Sequence, residues 1–297
     1  MTRTPQTSSN RRRRPAPSIQ AYIPKYLSNV VFPYHGDFCQ TPFFHPKLIV
    51  QLMAEGFLPI ATTGALLPKL HQERCVIHLP GSLHISKSTK KKTKRFGMTL
   101  NKRFKDVIQG CHAQHPHCWL IPPLVEAFQA IFESKGMVAG LEGGGQATVR
   151  FVSVEIWNSE SGELVAGELG YTVGSIYTSL TGFSRQDSSG SVQLVTLGAL
   201  LAQNGFSIWD LGMDMDYKRD LGATLMPRAA YVREVHRVRT TDCELPHMDD
   251  AINCKTIVTS SLSQPTPLVA SHPSDCSDCP KKKAKKDKRI ENQKQKS

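Results

Sequence analysis

One acidic residue, Asp210, stands at a position that suits a chemical role. The segment 206–209 is apolar apart from one serine, which predicts a buried strand, and Asp210 follows it directly. The ends of strands in α/β folds open into the crevices where such folds place their reactive groups. We therefore regard Asp210 as a candidate catalytic residue.

A run of cations between residues 87 and 105 also suits a chemical role. Nine Lys and Arg side chains occupy these nineteen positions, and no acid lies between them. They are Lys87, Lys90, Lys91, Lys92, Lys94, Arg95, Lys102, Arg103 and Lys105. Such a cluster in a folded region attracts a phosphate backbone by releasing counterions. The charge pattern alone fits a solvated helix or loop face equally well.

The net charge of +12 lies entirely in the two ends of the chain. Residues 1–20 carry five Arg and no acid, and residues 281–297 carry eight Lys and one Arg against two acids. We predict that residues 1–20 and 241–297 are disordered basic tails, because such polar segments bury too little apolar surface to offset their ordering entropy. The tails could be targeting signals for an organelle or the nucleus, RNA-binding arms or solubilising extensions.

The spacing of cysteine and histidine gives no reason to expect a metal. The pair Cys276 and Cys279 has the two-residue gap of a zinc knuckle, but no second pair follows at a matching distance. Three His and two Cys between residues 111 and 118 fit neither a helical pair nor a zinc finger, and we interpret them as a polar turn before Trp119. No apolar run reaches eighteen residues and no secretory signal is visible, so we expect a soluble, intracellular protein without a membrane span.

The elements that would position Asp210 and the cations form an α/β pattern. Residues 154–157 and 164–173 carry β-branched, aromatic and small side chains with turn residues between the two segments, which predicts antiparallel strands. Residues 191–204 carry apolar side chains at helical spacing and end before Gly205, which predicts a helix packed on that sheet. A chain of 297 residues with 39% hydrophobic content can hold one large domain or two modest ones.

Five blocks of sequence, in order between residues 82 and 231, resemble one known family. The blocks are SLHISKSTKKKTKRFGMTLNKRFKDVIQGC, CWLIPPLVEAF, SVEIW, GELVAGELGYTVGSIYTSLTGFSR and WDLGMDMDYKRDLGA. Together they resemble the leucyl/phenylalanyl-tRNA–protein transferase family. Residues 44–60 are similar to the small N-terminal domain of that family, although its tryptophan-rich segment is not evident. The resemblance implies a small N-terminal domain over residues 21–75 and a transferase domain over residues 76–240.

The resemblance also implies a fold, a reaction and its partners. The fold would be an acetyltransferase-like α/β fold, with a mixed, largely antiparallel sheet and flanking helices. The enzyme would move an amino acid, Leu or Phe in the family, from aminoacyl-tRNA to the N-terminal α-amine of proteins that begin with Arg or Lys. The product would be a degradation signal. No cofactor is expected because the aminoacyl ester is already activated, so catalysis depends on positioning, proton transfer and oxyanion stabilisation. We expect a monomer in the cytoplasm.

The basic cluster and one tryptophan take defined roles by the same resemblance. The residues that match the cations with which the family binds tRNA are Lys87, Lys90, Lys91, Lys94 and Arg95. Trp119 matches an aromatic residue that contacts the terminal adenosine, and stacking of a base on an aromatic ring contributes about 1–3 kcal/mol. The alternative is that Trp119 is a core tryptophan.

The catalytic motif departs from that of the family. Asp210 matches the active-site aspartate, but the family motif Asp-x-Gln is Asp-Leu-Gly here and ends at Gly212. The active-site glutamate of the family, four residues before its Ser-Arg, is Leu180, while Phe-Ser-Arg itself is kept. Either the remaining groups support the reaction, with Asp214 or Asp216 in polar roles, or the activity has changed.

Alignment of this sequence with the family, without gaps, also implies which residues form the aminoacyl pocket. The family lines that pocket with Met, Phe and Ile. In this chain, the implied residues are Glu168, Tyr177, Gly182, Leu197, Leu201 and Trp209. Glu168 does not fit an apolar wall unless it is paired or protonated, because an isolated buried carboxylate is costly. An ionised Glu168 would favour an amino acid with a positive or hydrogen-bonding side chain. A one-residue bulge that turned Glu168 to the other face of its strand would restore an apolar pocket.

Two other classes of function remain open. A non-catalytic RNA-binding module would keep the cations and Trp119 while losing the Gln and Glu of the family. An acyltransferase that uses another activated group, such as an acyl-CoA, would need a phosphate-binding turn before a helix. The segment 219–223, Arg-Asp-Leu-Gly-Ala, is the candidate for such a turn.

Overall fold

The computed structural model describes residues 18–31, 35–116 and 119–263. Its α-helices are α1 (Ile19–Tyr26), α2 (Pro46–Ala54), α3 (Lys87–Lys92), α4 (Phe104–Gln114), α5 (Pro122–Glu133), α6 (Ser189–Gln203), α7 (Asp216–Asp220), α8 (Arg228–Val238) and α9 (Cys254–Ser263). Short segments of π-helix (Leu27–Val31) and 3-10 helix (Thr93–Arg95) follow α1 and α3. The strands are β1 (Leu58–Thr62), β2 (Ala65–Lys69), β3 (Glu73–His78), β4 (Phe96–Leu100), β5 (Met137–Gly140), β6 (Gln146–Asn158), β7 (Leu164–Val173), β8 (Ile176–Ser184), β9 (Ile208–Asp210), β10 (Thr224–Pro227) and β11 (Ile252–Asn253).

Nine of the described strands form one sheet. The order is β10, β3, β9, β8, β7, β6, β4 and β11, and β5 pairs with β6 beside this path. Every neighbouring pair is antiparallel except β8 and β9, which run parallel. Strands β1 and β2 form an antiparallel hairpin outside this sheet. The prediction of a mixed, largely antiparallel sheet with flanking helices is therefore confirmed.

The long strand β6 shows how the sheet separates two hydrophobic cores. Side chains on a strand alternate between its two faces. Val149 and Phe151 of β6 point to a core that includes buried residues of α2, α4 and α5. Val154 and Ile156 point to a second core, which includes buried residues of α6 and α9. The helices thus cover both faces of the sheet.

The best-patterned segments of the sequence form the elements that were predicted for them. The predicted strands 154–157 and 164–173 lie within β6 and β7, and the predicted helix 191–204 is α6. Helix α6 ends before Gly205, whose φ of +79° is a conformation that glycine adopts at little cost. These predictions are confirmed because each segment is rich in the residue types of its element and is bounded by turn or stop residues.

The segment predicted as a small N-terminal domain packs on the central sheet. Leu48, Ile49 and Leu52 of α2 are fully buried in the core that also holds residues of α5 and β6. Strand β3 begins before the predicted limit at residue 75 and belongs to the main sheet. Helix α1 begins at Ile19, so the predicted limit of the N-terminal tail at residue 20 falls inside a helix. The division into domains at residues 75 and 76 stays a prediction.

The prediction of a disordered tail over residues 241–297 is wrong for residues 241–263. Strand β11 pairs with β4, and α9 packs against α6. Met248, Cys254, Ile257 and Val258 are buried. Ile257 and Val258 lie three and four residues after Cys254, which places the three side chains on one side of a helix. A polar average composition concealed this narrow apolar stripe. The rest of both predicted tails, residues 1–17 and 264–297, lies outside the described residues.

Truncation is expected to distinguish α9 from the residues that follow it. A chain that ends at residue 251 should lose at least about 3 kcal/mol of unfolding free energy, because each fully buried Val or Ile contributes about 1.5–3 kcal/mol. A chain that ends at residue 263 should change by less than about 0.5 kcal/mol. Denaturant unfolding of the two chains measures the difference. Equal stabilities would contradict the packing of α9 on the core.

Candidate active site

A cavity of about 630 Å³ opens at the carboxyl ends of β8 and β9. Two neighbouring parallel strands end at the same edge of a sheet. The segments that follow them therefore lie close together and can enclose a ligand. The walls of the cavity come from the hairpin β1–β2, the segment after α4, the end of β8, the first half of α6 and the segment that follows β9. The cavity has the size of a small-molecule site.

Glu168 lies in the wall of this cavity and is 4% exposed. Its Oε1 atom accepts hydrogen bonds from the hydroxyl groups of Tyr177 and Ser179, each at 2.9 Å. Its Oε2 atom accepts a hydrogen bond from Nε2 of Gln193 at 2.8 Å. Burial raises the pKa of the carboxyl, and the three hydrogen bonds oppose that rise. Glu168 is therefore a buried acid at the surface of the site.

The alternative in which a bulge turns Glu168 away from the cavity is wrong. Strands β7 and β8 do carry a register shift, but it follows Leu169 and leaves Leu180 as the unpaired residue of β8. The shift brings Tyr177 and Ser179 onto the face of the sheet that carries Glu168. The bulge thus supplies hydrogen-bond donors to the acid.

Glu168 and Gly182 are the members of the predicted aminoacyl pocket that line the cavity. Leu197 and Leu201 do not line it, because both are fully buried in the core beside α9. The first turns of α6 face the cavity through Gln193 instead. The alignment without gaps had selected residues that lie one to two helical turns beyond the part of α6 that faces the cavity. The prediction that Leu197 and Leu201 line the pocket is therefore corrected.

Tyr177 and Trp209 lie behind the cavity wall and do not line it. Both side chains are fully buried. Nε1 of Trp209 donates a hydrogen bond to Oγ of Ser179 at 2.9 Å, and Ser179 in turn donates to Glu168. The two aromatic residues therefore act on the cavity through hydrogen bonds to its wall, which corrects the prediction that they contact the ligand directly.

Asp210 ends β9, as predicted, but it is fully buried and does not line the cavity. Nε and Nη2 of Arg74 donate to its two oxygens at 3.0 and 2.6 Å. The hydroxyl groups of Thr178 and Tyr231 and the N–H of Gly212 donate at 3.1, 2.8 and 2.9 Å. Burial alone would raise the pKa of Asp210, but the charge of Arg74 and these hydrogen bonds lower it overall.

An aspartate with five hydrogen-bond donors has little capacity left to accept a proton from a substrate. Asp210 instead fixes the segment after β9, because it holds the N–H of Gly212, and Gly212 lines the cavity. This corrects the assignment of Asp210 as a residue that contacts the reacting atoms. The sequence analysis missed Arg74 and Tyr231. The sequence did contain a signal for Arg74, because it is the one cation in the otherwise apolar strand segment Arg-Cys-Val-Ile. A cation in a buried strand needs a buried anion as its partner.

Lys218 is a buried cation of the cavity that the sequence analysis also missed. Its Nζ atom donates hydrogen bonds to the carbonyl oxygens of Leu211 and Met213, both at 2.7 Å. Burial lowers the pKa of the ammonium group. An ammonium group has three N–H donors, so one remains for a ligand. His71 lines the same cavity, and burial, followed by the charges of Lys69 and Arg74, lowers its pKa to about 4.

The predicted tRNA-binding cations lie on α3 and the 3-10 segment that follows it. Lys87, Lys91, Lys94 and Arg95 are exposed, and Lys90 is half-buried. None of these five side chains pairs with a carboxylate in the part of the chain that the structure describes. The neighbouring Lys92 donates a hydrogen bond to Oγ of Ser188 at 2.6 Å, at the start of α6. The cluster therefore adjoins a helix that lines the cavity.

Trp119 is half-buried and lines the cavity. Its ring meets that of Phe128 edge-on, with centroids 6.3 Å apart. The ring therefore contributes both to the hydrophobic core and to the wall of the site. A second, polar cavity of about 680 Å³ lies beside the first and is lined by Arg103 and Arg185. Ser184 lines the first cavity, and the next residue, Arg185, lines the second cavity.

The segment 219–223 does not form a phosphate-binding turn before a helix. It leads into strand β10, and Arg219 pairs with Asp214. A Cβ atom on Gly222 would lie 1.8 Å from the carbonyl oxygen of Ser82, so the turn packs against the backbone with no room for an anion. The segment 219–223 therefore no longer supports an acyl-CoA as the donor.

Within the described ranges, no group of three or more His, Cys, Asp or Glu side chains is arranged to hold a metal ion. Cys111 and His112 lie in the last turn of α4, so the predicted polar turn before Trp119 begins only after Gln114. The pair at residues 276 and 279 lies outside the described residues. None of the described helices combines the length and the apolar character that a membrane crossing requires.

Residues 76–236, more than half of the chain, match the family model of the leucyl/phenylalanyl-tRNA protein transferases. The chain belongs to this family of aminoacyltransferases. A leucyl/phenylalanyl-tRNA–protein transferase of Pseudomonas paraeruginosa is 29% identical over 199 residues, which cover 65% of this chain and 81% of the relative. One of Pectobacterium atrosepticum is 29% identical over 160 residues, 53% of this chain and 62% of the relative. One of Shigella sonnei is 26% identical over 197 residues, 65% of this chain and 77% of the relative.

Both departures from the motif of the leucyl/phenylalanyl-tRNA protein transferase family lie at the cavity. Gly212, which stands in place of the glutamine, lines it with a φ of +73°, a conformation that favours glycine. Leu180, which stands in place of the glutamate, is the unpaired residue of β8 and also lines the cavity. Among the described residues of this family member, the buried carboxylate in the cavity wall is that of Glu168, on the neighbouring strand β7.

Proposed function

We propose that the protein transfers an amino acid from aminoacyl-tRNA to the N-terminal α-amine of proteins that begin with Arg or Lys. The transfer would mark those proteins for degradation. The observation that carries this proposal is the open cavity at the ends of β8 and β9, which Trp119 lines and which adjoins the basic surface of α3. We further propose an acetyltransferase-like fold and a monomer in the cytoplasm, where charged tRNA is available. The parallel pair β8–β9 within an antiparallel sheet supports the fold assignment.

The proposed reaction is aminolysis of an ester. The neutral amine of the acceptor attacks the carbonyl carbon of the aminoacyl group, an oxyanion forms, and the 3′ oxygen of the sugar leaves with a proton as the amide remains. Lys218 has a free N–H in the cavity and is the group best suited to stabilise the oxyanion. Both substrates together supply every atom of the product, so the step needs no cofactor.

The tRNA would reach the cavity from the side of α3. The unpaired cations of α3 can hold phosphates of the acceptor end, and Arg185 in the polar cavity can hold the nucleotides that follow, whereas Arg103 of that cavity pairs with Asp106. The terminal base would stack on Trp119. Tethering of Lys92 to the start of α6 supports this path, because it joins the basic surface to the cavity wall.

Transfer can be tested directly. The protein is incubated with total tRNA charged with radiolabelled amino acids and a peptide with N-terminal Arg, and label in the peptide is measured. Label in the free peptide, with none in a peptide whose N-terminus is acetylated, is the expected result. Binding of charged tRNA without transfer would favour the RNA-binding module. Labelling only when an acyl-CoA is supplied would favour an acyltransferase with another donor.

Replacement of Lys90, Lys91 and Lys94 by Ala together is expected to weaken the salt dependence of tRNA binding. Each lost phosphate contact lowers the slope of log affinity against log salt by about 0.7–0.9, so the slope should fall by about two to three units. Filter binding at several salt concentrations measures it. Lys25, Lys47 and Arg233 are exposed cations on helices outside α3 and serve as the control triple. An unchanged slope in the first triple would make these lysines part of a solvated face.

A further inference from the structure

We infer that the cavity accepts an amino acid with a cationic side chain, Lys or Arg, which Glu168 binds. The inference rests on the proposed function, since it names the substrate that the same site would take.

Four carboxylates are buried in the described part of the chain: Glu55, Glu155, Glu168 and Asp210. Glu55 and Asp210 each form an ion pair with a buried arginine. Each oxygen of Glu155 accepts two hydrogen bonds, which fills its acceptor capacity. Glu168 has no cationic partner among the described residues, and its Oε2 atom accepts one hydrogen bond. Among these four acids, the one that lacks both an ion pair and a full set of hydrogen bonds is thus the one that lines the cavity.

The groups around Glu168 are arranged for an ionised carboxylate. The hydroxyl oxygen of Ser179 accepts the N–H of Trp209, so the hydroxyl hydrogen of Ser179 is directed to Glu168. The hydroxyl of Tyr177 and the amide N–H of Gln193 also donate to Glu168. Three hydrogen-bond donors suit a group that only accepts, and a carboxyl only accepts when it is ionised.

The cations near Glu168 leave its charge available. Lys218 lines the same cavity and its charge acts on Glu168, but its Nζ atom donates to two backbone carbonyl oxygens and not to the carboxylate. Tyr217, which also faces the cavity, carries no positive charge. Lys69 stands at the wall formed by β2, where its ammonium group lies 4.9 Å from the ring of Phe38. The negative charge of Glu168 therefore has no bonded counter-charge within the site.

Other residues of the cavity wall suit the aliphatic part of a long cationic side chain. Leu58, Ile60, Leu211 and Met213 line the cavity and offer apolar contacts to methylene groups. A Lys or Arg side chain would place its methylene groups there and its charged end on Oε2 of Glu168. A leucyl or phenylalanyl side chain would cover the same carboxylate without bonding to it, which a buried acid does not tolerate.

The test is a competition among tRNAs charged with each of the twenty amino acids, with one acceptor peptide. Wild type is expected to use Arg or Lys at least about a hundredfold better than Leu, as judged by kcat/KM, because a site that hydrogen-bonds its substrate rejects analogues that lack the group. Glu168→Met is expected to reverse this preference in favour of Leu, Phe or Met. Glu155→Gln is the matched control, since it removes another buried carboxylate, outside the cavity, and should leave the preference unchanged.

A measurement on wild type alone keeps the inference testable if Glu168→Met does not fold. Lysine on its tRNA is replaced by Nε-acetyl-lysine, which keeps the methylene chain and removes the charge. Loss of at least about 90% of transfer is the expected result. Transfer of Leu and Phe by wild type as efficiently as Lys and Arg would overturn the inference and leave the proposed function intact. No transfer from any charged tRNA would instead overturn the proposed function.

Discussion

Replacing Arg74 by methionine is expected to lower the free energy of unfolding by about 3–5 kcal/mol, the largest effect on stability that we predict. Removing one partner of a buried ion pair leaves the other charge without compensation in a medium that solvates it poorly. Asp210 is fully buried, and Arg74 provides two of its five hydrogen bonds. Denaturant unfolding of the purified variant measures the change.

The matched control for Arg74 is an arginine whose partner is on the surface. Arg219 pairs with Asp214, and the arginine is exposed while the aspartate is half-buried, so solvent screens the pair and Arg219→Met should change stability little. The double variant Arg74→Met with Asp210→Leu should recover part of the loss, because it removes the unpaired charge as well. A similar loss in the Arg219 variant and the Arg74 variant would contradict the special position of the buried pair.

The contribution of the pair to stability also depends on pH in a defined direction. The pKa of Asp210 is lower in the folded protein than its ordinary value, so the folded state favours the ionised form. Its contribution is fully present above the unfolded pKa of about 4 and is lost as the pH falls through the folded pKa. The difference in unfolding free energy between wild type and Arg74→Met should therefore shrink below about pH 4. A difference that grows with acid would contradict this assignment of charge.

Replacing Lys218 by methionine is expected to lower kcat for transfer by about 10²–10³, the largest effect on activity outside the Glu168 variants. Loss of one donor to an oxyanion has an effect of that size. Lys218 is buried at the cavity and has one N–H left after it binds two carbonyl oxygens. Single-turnover kinetics at saturating charged tRNA measures the step, with unfolded protein excluded by prior gel filtration.

Lys69 provides the matched control for Lys218, because it is the second lysine that lines the cavity and its ammonium group lies over the ring of Phe38. Lys69→Met should change kcat less than about tenfold. If Lys218→Met raised KM and left kcat unchanged, Lys218 would serve to hold the segment after β9 and not the transition state. In that case, a group other than Lys218 would stabilise the oxyanion.

The periodic parts of this fold could be predicted from the sequence, and the contacts between distant segments could not. The strand segment 164–173 and the helix 191–204 are rich in the residue types of their elements and are bounded by turn residues, and both are confirmed. Asp210 was predicted at a strand end, which is also confirmed, but its burial depends on Arg74, which lies 136 residues earlier. No local pattern reports a contact across that separation. The carboxylate therefore resembled an accessible reactive group in sequence, and the fold holds it in a buried ion pair.

The residues that line the cavity could likewise be predicted from the sequence only in part. The alignment without gaps identified Glu168 correctly as a cavity residue, because strand β7 keeps its register through that position. It placed Leu197 and Leu201 in the cavity although the core holds them, since the direction of a helix face depends on what covers it. The apolar stripe of α9, which covers that face, was concealed by a polar composition. The basic cluster was visible in sequence because surface charge needs no partner to be recognised.

The unpaired residue Leu180 decides how β8 responds to a change in length. Deletion of Leu180 would remove the register shift and leave Ser179 opposite Gly170, so Tyr177 and Ser179 would stay on the face of the sheet that carries Glu168. Insertion of one residue between Tyr177 and Ser179 would instead turn one of the two to the opposite face, because side chains on a strand alternate with a period of two. Glu168 would then lose one of its hydrogen-bond donors. The constraint on the length of β8 therefore lies in the segment 177–179 and not at the bulge itself.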